Sequence, residues 1–107
     1  DYIREVMKKV ESNPLPDGIC LNVNIPSVKK EEILGIRVCR QSRGNWKEEF
    51  EKRKDPMGKS YYWLTGIYRN HEPDAMDTDE WALANKYVSV VPVSIDMTAH
   101  GYLDTIK

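Results

Sequence analysis

Tyr87-Val-Ser-Val-Val-Pro-Val-Ser-Ile95 is the stretch that most limits what this chain can become. Val88, Val90, Val91, Val93 and Ile95 are all β-branched. Branching at Cβ stiffens χ1 and suits a side chain to a pleated, buried surface, so the run predicts a buried strand. Pro92 interrupts it. Proline has no N–H to give a ladder, which puts the strand at an edge or makes it leave the sheet there. Further on, Asp96 and His100 stand four apart around Thr98. With Thr98 capping a short helix, that spacing lets a carboxylate reach an imidazole. A buried strand, a break and a fixed Asp–His pair describe a hinge feeding a terminal arm.

A chain of 107 residues suits one domain with a modest core. With 40% hydrophobic and 31% charged residues it reads as soluble and globular. No apolar run approaches the roughly 20 residues of a membrane helix, and no signal peptide is visible. Cys20 and Cys39 lie in apolar strand-like runs without a Cys-x-x-Cys spacing. Two reduced, buried thiols in a cytoplasmic protein are expected.

Tyr2, Ile3, Val6, Met7 and Val10 form one apolar stripe, which predicts a helix over 1–11 with only Asp1 to cap it. With no initiator methionine in front of it, the chain reads as cut from something longer. Ser12 to Gly18 ends the helix with two prolines and a glycine. Ile19 to Ile25 alternates, with Cys20, Asn22 and Asn24 on the polar face, and predicts a strand. Asn22 and Asn24 are expected to satisfy nearby loop backbone. Gly35 to Gln41 predicts a second strand, and Ser42 to Asn45 a turn.

Trp46 to Lys54 and Ser60 to Thr65 flank Asp55-Pro-Met-Gly58, a type I turn signature. They predict a charged β-hairpin that also carries Trp46, Phe50, Tyr61, Tyr62 and Trp63. A two-stranded ribbon is marginal in water unless its apolar face is covered. A partner subunit would cover it; so would single-stranded nucleic acid stacked on the rings. From Arg37 to Lys59 eight basic residues outnumber four acidic ones. The interleaved acids and a net charge of −1 make nucleic acid the weaker choice. From His71 to Lys107 seven acids face two lysines, so the basic middle and acidic end can pair within or between chains.

Tyr68 to Met76 reads as a loop, followed by a helix over 77–86 with Asp77 and Glu80 as a capping-box pair. His71, Glu72, Asp74, Asp77 and Asp79 lack the spacing of a calcium loop and are explained by carboxylates at a helix N-terminus. After His100, residues Ala99, Tyr102, Leu103 and Ile106 recur at helical spacing, an amphipathic arm that must dock on something. There is no P-loop, no Gly-x-Gly-x-x-Gly and no nucleophile near either histidine.

Seven ordered pieces of the chain resemble the SurE (survival protein E) family of 5′/3′-nucleotidases. They are Leu21-Asn-Val-Asn-Ile-Pro26, Gly35-Ile-Arg-Val38, Glu51-Lys-Arg-Lys-Asp-Pro-Met-Gly58, Tyr61-Tyr-Trp63, Thr78-Asp79, Tyr87-Val-Ser-Val90 and Asp96-Met-Thr-Ala-His100. The resemblance implies an α/β fold: the C-terminal part of a Rossmann-like three-layer domain, with a protruding β-hairpin and a swapped C-terminal arm. On that basis residues 1–45 and 66–95 belong to the α/β domain, 46–65 to an oligomerisation hairpin and 96–107 to the arm. Trp46, Phe50, Tyr61, Trp63, Asp96 and His100 then serve hinge and assembly, in a homo-oligomer of two or four chains. The resemblance also implies a nucleoside monophosphate substrate and a divalent metal, Mg or Mn, in a longer parent. The family's ligands, an Asp-Asp pair with a Ser and an Asn, match nothing in this chain, so no metal is expected on it and no activity from it alone. Gly101 departs from the Glu expected there, at a helix-propensity cost of roughly 1 kcal/mol.

Overall fold

The computed structural model describes residues 2–107. Asp1, the expected helix cap, lies outside the described residues. Helix α1, Tyr2–Ser12, follows the apolar stripe. Strands β1 (Ile19–Asn24) and β2 (Gly35–Val38) are separated by a 3-10 turn at Lys30–Glu32. Strand β7, Tyr87–Ser94, lies between them in a three-stranded sheet ordered β1-β7-β2. It runs antiparallel to β1 and parallel to β2. Of the edge position or departure expected at Pro92, neither holds for the strand as a whole, since β7 is central; at Pro92 itself it has left β2 and stays paired only with β1.

Register explains how a proline is tolerated there. Pro92 faces Leu21, while the last residue of β7 paired with β2 is Val90, opposite Val38. Val90 O accepts from Cys39 N, and Ile95 N donates the other way, to Gly18 O. By alternation the nitrogen of Pro92 points to the β2 side, past the end of that ladder. The missing N–H costs no bond.

Alternation also splits the sheet between two helices. Ser89, Val91 and Val93 face helix α2 (Asp79–Ala84), where Cys39, Ala82 and Val91 form a buried cluster edged by Tyr87 and Val93. Val90 and Pro92 face the other way, lining a groove of about 210 Å³ with Val6, Val10, Leu21, Ile36 and Val38. Val88 and Ser89 are fully buried. The hydroxyl of Ser89 has no partner among the described residues.

Smaller corrections follow from the same geometry. Cys20 is exposed, because β1 reaches beyond the cover of α2; Cys39 is buried and burial pushes its thiol pKa up. Asn24 Nδ2 donates to Asn22 Oδ1 at 3.1 Å, so these side chains bind each other and not loop backbone. Helix α2 is capped by Thr78, not Asp77: the Thr78 hydroxyl oxygen accepts from Trp81 N at 3.2 Å and donates to Ala75 O at 2.9 Å. The helix ends at Ala84, short of the expected Lys86, which takes a left-handed φ of 64°.

Candidate functional site

The hairpin is longer than the alternation predicted, and it is broken. Its base is a ladder of β3 (Gly44–Lys47) with β6 (Ile67–Asn70). Its tip is a second ladder, β4 (Phe50–Lys54) with β5 (Ser60–Leu64). The turn expected at Ser42–Asn45 is thus strand from Gly44, and the loop expected from Tyr68 is strand to Asn70. Between the ladders the chain kinks. Glu48 takes a left-handed φ of 56° and Gly66 a φ of 139°. One backbone bond spans the break, Thr65 N to Glu49 O at 2.8 Å. The tip turn is as expected: Asp55 Oδ1 accepts from Met57 N and Lys59 N, and Gly58 N donates to Asp55 O.

The five aromatics expected in the hairpin are all exposed, while Tyr68 on β6 is half-buried. Phe50, Tyr61, Tyr62 and Trp63 are in the tip ladder, where Arg53 pairs with Glu51 and lies 5.0 Å from the centroid of the Trp63 ring. Trp46 is in the base ladder, edge-on to Tyr68 with centroids 5.8 Å apart. At the kink Trp46, Glu49, Leu64, Thr65 and Gly66 wall a concavity of about 490 Å³. Of these only Trp46 was singled out from sequence. The others are found only once the register is known.

The hairpin's root is clamped to the sheet by Arg40. Its Nη1 and Nη2 donate to the two carboxylate oxygens of Glu72 at 2.6 and 3.1 Å, and its Nε donates to Asp77 Oδ2 at 2.8 Å. Arg43 N adds a bond to Glu72 Oε1 at 2.8 Å, and Ser42 N one to Asp79 Oδ1 at 2.8 Å. The acidic cluster of His71 to Asp79 therefore closes on a guanidinium and on backbone N–H groups. Among the described residues no group of three or more His, Cys, Asp or Glu could hold a metal ion.

Arg40 first, then the Arg43 N–H, holds Glu72 down to a pKa of about 2. A carboxylate whose pKa falls on folding adds stability above its unfolded pKa, and that stability disappears as pH drops through the folded value. The melting temperature should therefore fall between about pH 4.5 and pH 2. An Arg40→Met chain should melt lower at pH 7 and show a flatter acid limb over that window. Parallel pH profiles for the two chains would refute the clamp.

The arm begins where β7 ends. Asp96 Oδ1 accepts from Thr98 N at 2.9 Å, and Asp96 Oδ2 meets His100 Nε2 at 2.5 Å. Bonds from Thr98, then from His100, lower the Asp96 pKa to about 2. The Asp–His contact expected from the spacing is present, but Thr98 is not the cap: Ala99 is the N-cap residue, without a side-chain capping bond, and Asp96 accepts from Thr98 N ahead of the helix. From His100 to Ile106 the arm is a 3-10 helix, where an amphipathic α-helix was expected. Its residues are exposed, with Met97 at 93%.

Comparison with known proteins follows this geometry. A family model described as Survival protein SurE matches residues 1–48. A 5′-nucleotidase SurE of Flavobacterium psychrophilum is 54% identical over 99% of this chain, and one of Christiangramia forsetii is 53% identical over the same share. The match covers 41% and 40% of those proteins, so the chain spans about two fifths of the length of the curated relatives it matches. The crystal structure of a SurE protein from Aquifex aeolicus superposes with a TM-score of 0.67 at 40% identity, over 96% of this chain and 41% of that one. No helix among the described residues is long and apolar enough to cross a membrane.

Proposed function

We propose that this chain belongs to the SurE family and is the C-terminal part of a metal-dependent nucleotidase that hydrolyses nucleoside monophosphates. The observation that carries the reading is identity of 53–54% to proteins named 5′-nucleotidase SurE, sustained along 99% of the chain. In this reading residues outside the matched two fifths bind a divalent metal, Mg or Mn, which polarises the phosphate and activates water. Residues 1–45 and 66–95 supply the end of the α/β domain, counting with it the start of β3 and strand β6 from the hairpin's base ladder. The hairpin, through Trp46, Phe50, Tyr61 and Trp63, and the arm, through Asp96 and His100, supply hinge and assembly in a cytoplasmic homo-oligomer of two or four chains, with Trp46 one ladder nearer the core than the other three aromatics.

The test is hydrolysis. The purified 107-residue chain should release no phosphate from any nucleoside monophosphate with Mg or Mn, because the ligand set the resemblance implies, an Asp-Asp pair with a Ser and an Asn, matches nothing in it. A longer chain extended upstream by the family's Asp-Asp segment should release it. Turnover by the short chain, free of contaminating phosphatase, would refute the division of labour.

Asp96 and His100 act structurally in this reading. In the extended protein His100→Ala should change arm position or oligomer state, read by cross-linking and gel filtration. Lost turnover with assembly and arm unchanged would make the pair catalytic instead.

A further inference from the structure

We propose that the concavity at the hairpin kink is a nucleobase site, and that guanine is the base it fits. The inference leans on the nucleotidase reading only for why a nucleoside would be at hand. The site is built from residues already described. Its volume, about 490 Å³, lies within the range of small-molecule pockets.

One wall is the Trp46 indole, more than half exposed. The ring is oriented before any ligand arrives: Tyr68 meets it edge-on, and the Tyr68 hydroxyl is fixed against Ser42 Oγ at 2.9 Å. A fixed indole face is a platform on which any base can stack. Beside it Gly66 keeps the wall bare. A Cβ there would come within 2.8 Å of Lys47 O and 3.4 Å of Trp46 Cε3, at a φ that side chains avoid. Leu64 adds apolar contact and Thr65 a hydroxyl.

Selectivity comes from Glu49. Its backbone is held by Thr65 N. Glu49 lines the concavity, and its carboxylate has no ion pair or side-chain hydrogen bond among the described residues. An ionised carboxylate only accepts. Guanine offers two adjacent donors, N1–H and the 2-amino group, which match its two oxygens. Adenine and cytosine offer one donor beside an acceptor, and uracil one donor between two carbonyls. Only guanine satisfies both oxygens without setting a lone pair against them.

The experiment follows the Trp46 indole N–H resonance of the 107-residue chain while guanosine, adenosine, cytidine and uridine are added, with no metal present. Guanosine should shift it saturably and bind about tenfold tighter than adenosine. Glu49→Gln is exposed and isosteric. It should cost guanosine about tenfold and leave adenosine unchanged. Trp46→Ala should abolish guanosine binding, followed by other resonances at the kink. Four nucleosides of equal affinity would mean simple stacking and overturn the proposal. So would no saturable shift, or an affinity for single-stranded oligonucleotides that grows with length and ignores Glu49→Gln. Because the ligands carry no phosphate, guanosine binding without hydrolysis by the extended chain would sink the nucleotidase reading and leave this one standing. The reverse pair of results would do the opposite.

Discussion

Light scattering of the purified chain at micromolar concentration should give a mass of at least two chains. Apolar side chains of the tip and the arm are left in water. Phe50, Tyr61, Tyr62 and Trp63 stand exposed on a two-stranded tip that has nothing to bury them against. Tyr102, Leu103 and Ile106 stand exposed on a seven-residue 3-10 helix. Monomers seldom leave contiguous patches of this kind open. Phe50→Ser with Trp63→Ser should shift the mass toward one chain without changing secondary structure. A single-chain mass for the unsubstituted protein, independent of concentration, would mean that tip and arm serve no assembly.

Val88→Ala should give the largest loss of stability of any single conservative substitution in the sheet. Val88 is fully buried in the central strand, opposite Ile36 of β2. Removing two methyl groups forfeits their transfer free energy and leaves a cavity, about 2–3 kcal/mol together. For a domain of this size that lowers the melting temperature by roughly 10–20 °C. The comparison should be made at one protein concentration, because association shifts apparent stability. Ser89→Ala, one residue along, should be neutral or stabilising, since the enclosed hydroxyl has no partner among the described residues. Equal losses from both would mean that β7 is not packed as described.

The elements that build the sheet were legible because their signals are local. Alternation at Ile19–Asn24 and branching at Val88–Val93 each report a strand directly. The edge position inferred from Pro92 failed because a missing donor constrains one side of a strand only, and the sequence does not say where the neighbour on that side ends. The kink was invisible because glutamate carries no preference for positive φ; the ladders on either side impose Glu48's conformation. Ile67–Asn70 is four residues long with no alternation beyond one period, so its pairing to Gly44–Lys47 had to come from register. The cap was misplaced by one residue because Asp77 and Thr78 both suit it, and Arg40, far away in sequence, claims Asp77. The candidate site was least legible of all. Glu49 reads as one acid among many until the kink turns it beside Trp46.

The position of β7 has a kinetic consequence. Strands β1 and β2 are bonded to it and not to each other, and it is the last strand in the chain. During synthesis both wait, apolar and unpaired, while the hairpin closes locally around Asp55–Lys59. Closing the span from Val38 to Tyr87 must then precede the three-stranded sheet, a non-local pairing of the kind that slows folding. A ribosome paused before Tyr87 would carry a formed hairpin beside an unformed sheet, with bare strand edges open to other nascent chains.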